Sequence, residues 1–153
     1  MSGEKPTCVV CGQKSTFSEP LSFVEIKKQT YCSKCGKKFL KEATREIIIT
    51  TTNNIDGHKV TRYIGVESVE VVIGTGAFSE FSSNIADMLG ERSTAFEQKL
   101  QTAKKMALEK LKVLAFENNA NAVIGIDMDY VEFTSNRIGV VANGTIVKIE
   151  KYD

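Results

Sequence analysis

The spacing of apolar positions changes several times along this chain, and each change marks an element. From Glu46 to Val66 the sequence reads E-I-I-I-T-T-T-N-N-I-D-G-H-K-V-T-R-Y-I-G-V. A β-branched run, Ile47 to Thr52, meets a loop rich in Asn, Asp and Gly, and an alternating strand follows. That pattern predicts a hairpin. On the second strand Val60, Ile64 and Val66 share one parity, while Val69, Val71 and Ile73 share the other. A period of two changes face only where an extra residue enters, so a bulge is expected near Glu67–Ser68. G-T-G-A-F-S follows (residues 74–79). It lacks the third glycine and the lysine of a phosphate-cradling loop, and reads as a strand-to-helix turn. Phe78, Phe81, Ile85 and Leu89 then mark a short amphipathic helix ending at Gly90.

A longer helix comes next. Thr94 and Glu97 have the spacing of a capping box. Phe96, Leu100, Ala103, Ala107, Leu111 and Leu114 recur every three or four residues, with Lys and Glu elsewhere, and the pattern stops near Asn118–Asn119. Two strands close the chain: A-V-I-G-I-D-M-D-Y-V-E-F, the turn T-S-N-R, then I-G-V-V-A-N-G-T-I-V-K-I. Asn143-Gly144 has the composition of a hairpin turn, but the pieces on either side would be short. One kinked strand is the better reading. The order β-β-α-α-β-β predicts an α+β domain, an antiparallel sheet with its helices on one face.

Composition separates the first part of the chain from the rest. All four cysteines, and both prolines, fall before residue 36. Residues 1–45 hold nine Lys/Arg against four Asp/Glu, and residues 46–153 hold eleven against fifteen. This places a boundary between a module of residues 1–45 and a domain of residues 46–153. Cys8, Cys11, Cys32 and Cys35 have the spacing C-x2-C-x20-C-x2-C. Two thiolates two residues apart can grip one edge of a tetrahedron, and a glycine after each pair permits a sharp turn. The expectation is a zinc ribbon whose Zn2+ is structural, because four cysteines leave no open position for a catalytic water. The few apolar residues between the pairs are too few for a core, so folding should depend on the metal. The polar N-terminus and the absence of an apolar run of about 18 residues predict a cytoplasmic protein with no membrane association. Thiols stay reduced in that compartment, which favours metal over disulfides.

Lys27, Lys28, Lys34, Lys37, Lys38 and Lys41 crowd the module. Such a surface raises nucleic-acid binding, but no aromatic platform is evident, and a solvated basic face that touches an acidic protein, or the chain's own acidic second domain, is the favoured reading. In the second domain, Asp127 and Asp129 stand at i and i+2 of a strand and share a face. They could bind a hard cation, or meet Arg62, Arg92 or Arg137 across a subunit interface, or face solvent. His58 reads as an exposed loop residue without a partner, so no nucleophilic triad is evident.

I-G-V-E-S-V-E-V-V-I-G-T-G-A-F, G-E-R-S-T-A-F-E and A-V-I-G-I-D-M-D-Y resemble the YbjQ-like family, labelled heavy-metal-binding, over about residues 49–149. The resemblance implies a dodecin-like α+β subunit in homo-pentameric rings, or decamers where rings stack, and no established activity. The ribbon lies outside it. The favoured function is a non-enzymatic ring protein with a ligand-binding or scaffold role. A metal-assisted hydrolase or isomerase using Asp127 and Asp129 is the alternative, and a zinc-ribbon adaptor contacting nucleic acid is a third.

Overall fold

The computed structural model describes residues 6–14, 23–73, 91–133 and 137–152. The chain divides into two units, Met1–Glu46 and Ile47–Asp153. In the first, β1 (Phe23–Ile26) and β2 (Gln29–Cys32) form an antiparallel hairpin, and α1 (Ser33–Ala43) starts directly after β2. The two-residue turn holds Lys27 and Lys28 at φ of 47° and 65°. Two left-handed residues give the turn whose twist matches a hairpin, although Asn-Gly fills it more easily. Gly36 lets α1 lie close against the hairpin, since a Cβ there would stand 2.6 Å from Val24 Cγ2. Phe39 stacks on the buried Tyr31 with ring centroids 5.0 Å apart. Thr44 closes the helix, its hydroxyl donating to the Leu40 carbonyl at 2.8 Å.

The second unit holds β3 (Ile48–Ile49), β4 (His58–Ile73), α2 (Glu91–Glu117), β5 (Ala122–Phe133) and β6 (Arg137–Lys151). The α+β class stands. The sheet order is β3-β5-β6-β4, with β5/β6 and β4/β6 antiparallel. The expected hairpin between the first two strands does not form: β3 pairs in parallel with β5, at the opposite edge from β4. The connecting segment brings Ile55 against a cluster of Ala122, Ile124, Val147 and Ile149, with Val60 beside it.

The two parities of β4 are explained by this second cluster. Val60 packs on the Ile55 side, while Val69, Val71 and Ile73 pack on the α2 side, so both faces of the sheet bury apolar groups. Pairing runs without interruption through Glu67 and Ser68. The register shifts lie instead between Val60 and Arg62 and between Tyr63 and Gly65. The expected bulge was derived from a single buried face, and the sheet has two.

Helix α2 buries Ala103, Ala107, Leu111 and Ala115 completely against β4, β5 and β6. It begins at Glu91, ahead of the expected cap at Thr94. It ends as expected: Asn119 takes φ 59°, and the Ala120 N–H donates to the Ala115 carbonyl at 2.8 Å, a left-handed helix stop. The glycine loop at 74–79, the short helix ending at Gly90 and the T-S-N turn residues 134–136 lie outside the described residues.

β6 runs unbroken through Asn143–Gly144. Opposite Gly144, β5 shifts register between Ile124 and Asp127, with Gly125 at φ 61°. A Cβ on Gly144 would meet Val123 Cγ1 at 2.6 Å and Ile126 Cγ1 at 3.3 Å, which is why only glycine fits beneath the bulge. Gly144→Ala is therefore expected to cost about 1–3 kcal/mol by overpacking. Leu111→Ala should cost about 2–5 kcal/mol by opening a cavity in the fully buried helix face. Urea midpoints with unchanged slopes would measure both, and a neutral Gly144→Ala would refute the packing described here.

Candidate metal centre

The four cysteines are carried by two local structures that differ in kind. Cys8 and Cys11 sit in a tight loop: Thr7 bridges Lys14, the Cys8 N–H donates to the Gln13 carbonyl, and the Gly12 N–H donates to the Cys8 carbonyl, both at 2.9 Å. Gly12 has φ 70°, as a turn directly after the second cysteine requires. The Val9 N–H donates to the Thr30 carbonyl at 2.9 Å, tying this loop to β2. The second pair sits at a helix start rather than in a turn. Cys32 ends β2 and is the N-cap of α1, and Cys35 lies in the first turn. Gly36 thus serves helix packing, not a turn.

All four Sγ atoms lie within 4.8 Å of one another. Cys11 Sγ and Cys32 Sγ are 3.8 Å apart. Four sulfurs at about 2.3 Å from a tetrahedral zinc stand about 3.8 Å apart, so the observed spacing suits such an ion. Cys8 and Cys32 are buried, Cys35 is half-buried and Cys11 is exposed. Burial pushes the Cys8 thiol up, but hydrogen bonds to the backbone of Cys32, Cys11 and Val10, with the Cys11 side chain, outweigh it and bring it down to about 6. Cys35 is pushed up to about 12, chiefly by its hydrogen bond to the Cys32 side chain and by burial, with Cys11 and Cys8 adding to it. The cluster therefore tolerates early ionisation at one position and resists it at another. A divalent cation at the centre removes that conflict, so the donor set fits a metal.

Asp127 and Asp129 share a face, as expected, and it is the one opposite α2. Their partners in register are Asn143 and Val141, and both carboxylates are exposed. Neither has an ion-pair partner among the described residues. Arg62 pairs with Lys148 in register, which places it on the other face of the sheet. Two shallow grooves flank β3, one reaching Leu108 and Lys104 of α2 and the other Thr50 to Asp56, and neither takes in the two aspartates. His58 is the first residue of β4 and is half-buried, with Nδ1 3.1 Å from the Asp56 carbonyl, rather than an exposed loop residue. Among the described residues, only the four cysteines form a group of three or more potential ligands.

The profile of a YbjQ family, described as "Putative heavy-metal-binding", matches residues 47–150. The chain belongs to this family. A UPF0145 protein of Anoxybacillus flavithermus is 36% identical over 105 residues, which is 69% of this chain and 100% of that protein. One from Carboxydothermus hydrogenoformans is 38% identical over 104 residues, covering 68% of this chain and 97% of its own. A crystal structure of a DUF74-family protein of unknown function from Pediococcus pentosaceus aligns at 19% identity with a TM-score of 0.45, covering 68% and 98% of the two chains. The YbjQ stretch of this chain contains no cysteine and one histidine, and the cysteine cluster precedes it. The metal-capable cluster is thus an addition to the family unit.

At neutral pH, metal binding should expel at least the Cys35 proton, whereas Cys8, at about 6, is already largely ionised. Metal affinity should rise with pH, and its fall should steepen below about 6, where the metal-free Cys8 also takes up a proton that the ion must displace. Zn2+ titration in weak buffer, read by proton release, tests this. Cys35→Ser should weaken binding by more than the roughly 10–100-fold that loss of an outer-shell partner costs.

Proposed function

We propose that this protein is a non-enzymatic, homo-oligomeric YbjQ-family subunit carrying a zinc-braced N-terminal module, with a ligand-binding or scaffold role. The observation that carries the reading is the convergence of Cys8, Cys11, Cys32 and Cys35 to within 4.8 Å. Thiolates suit soft or borderline metals, and a closed set of four suits structural Zn2+. The ion braces the loop of Cys8 and Cys11 to the start of α1. Among the described residues of the first unit, two of the four buried apolar side chains are themselves ligands, Cys8 and Cys32, with Ile26 and Tyr31 the others. Zinc then takes the place of a hydrophobic core.

Two features support assembly. Strand β4 is an edge strand of 16 residues, and a long edge invites pairing unless something covers it. The face away from α2 exposes Tyr63 (68%), Val66 (76%), Val72 (57%) and Val131 (40%) beside Glu70, Asp127 and Asp129. A closed ring of the kind the family resemblance implies covers both edge and face. In this reading the two aspartates meet a basic group of a neighbouring subunit.

Elemental analysis should give one zinc per chain, and light scattering should give a mass of about five chains, or about ten where rings stack. A zinc-free protein purified without chelators would remove the first part, and a monomer the second. Replacing Asp127 and Asp129 together by Asn should loosen the assembly, because asparagine is a weaker acceptor for arginine or lysine. A ring that stays intact while losing Mg2+ binding would favour cation chemistry at these residues instead. A chain beginning at Ile47 should fold and assemble alone, as whole relatives correspond to only this part.

A further inference from the structure

The lysines of the first unit are ordered by α1 in a way that the assembly reading leaves unused. Lys34, Lys37, Lys38 and Lys41 are all exposed and fall at i, i+3, i+4 and i+7. At 3.6 residues per turn they occupy a sector of about 100°. The remaining faces carry the packing and the ligands: Cys35 joins the sulfur cluster, Gly36 seats against Val24 and Ile26, and Phe39 stacks on Tyr31. Glu42 borders the row, and Arg45 extends its line but lies 4.0 Å from Glu46. The turn at the hairpin tip adds Lys27 and Lys28, both exposed and both in the left-handed conformation that Asn-Gly adopts more readily.

We propose that this face of α1 binds the phosphate backbone of duplex nucleic acid without reading its sequence. The row has no aromatic or apolar anchor, and lysine is depleted at protein–protein interfaces, whose energy comes from buried Trp, Tyr and Arg. A protein partner therefore fits it poorly. Single strands are bound mainly by stacking, but the aromatic rings of α1 and β2 are turned inward on each other. Phosphate needs only point charges, which lysine supplies, and no Asn, Gln or Arg stands in the row to read base edges. From Lys34 to Lys41 the row spans about 10.5 Å of helix axis. Duplex DNA offers about one negative charge per 1.7 Å along its own axis. The metal holds the start of the helix in place and so positions the row.

Fluorescence anisotropy of a short labelled duplex of mixed sequence, titrated with the full-length zinc-loaded chain, tests this. Four phosphate contacts give a slope of about −3.6 in log K against log salt, a loss of roughly 150-fold between about 50 and 200 mM. Lys34→Gln and Lys41→Gln should each reduce the slope by about 0.9 with zinc content unchanged. The fourfold Lys→Arg variant should keep it. Absence of duplex binding at low salt, slopes unmoved by the single variants, or tighter binding of polyglutamate than of duplex at equal salt would overturn the proposal. The last outcome would assign the row to an acidic protein.

Discussion

Four sulfurs gathered within 4.8 Å cannot all carry charge unless a cation lies between them. That electrostatic constraint governs the N-terminal unit. Among the described residues, its few buried apolar side chains cover too little surface to order a loop, a hairpin and an eleven-residue helix together. The opposed shifts of Cys8, down to about 6, and Cys35, up to about 12, express the same constraint in the metal-free cluster. One thiolate is welcomed by backbone donors, and further charge is resisted. With a cation in place, every thiolate becomes favourable, and the helix start, the loop and the hairpin are fixed to one point. The exposed lysine row of α1 depends on that point for its direction.

The family unit follows a different logic. Its order comes from a sheet that must bury apolar residues on both faces while one described helix covers only one of them. Segment 50–57 solves part of the problem by carrying Ile55 across the open face. The rest of that face keeps Tyr63, Val66, Val72 and Val131 exposed beside three carboxylates. This surface lies beside the edge that β4 forms in the sheet of the described residues. The two units also differ in origin of stability. One gathers four cysteines into a cluster that could hold a metal, whereas the other rests on packing between Leu111, its neighbouring alanines and the strands beneath.

Much was legible in the sequence, and for local reasons. The sulfur cluster could be read because C-x2-C geometry is set within four residues. The stripe of Ala103, Ala107 and Leu111 could be read because a helix repeats every 3.6 residues. The stop at Asn118–Asn119 could be read because few residues take a left-handed conformation. Even the shared face of Asp127 and Asp129 follows from strand alternation.

What local pattern could not decide was pairing. Ile48 and Ile49 look like the first half of a hairpin, but their partner, β5, lies more than seventy residues away. Nothing in a window of the sequence carries that distance. The bulges of β4 went to Val60–Arg62 and Tyr63–Gly65 because Val60 has its own buried neighbours on the second face, and alternation cannot say how many faces are covered. Gly144 was legible as a place in one long strand, but only the shift in β5 showed what lay against it. Periodicity thus determined which residues form elements and which side chains share a side. Contacts distant in sequence decided the strand order and the second core, because only the folded chain brings those groups within reach of one another.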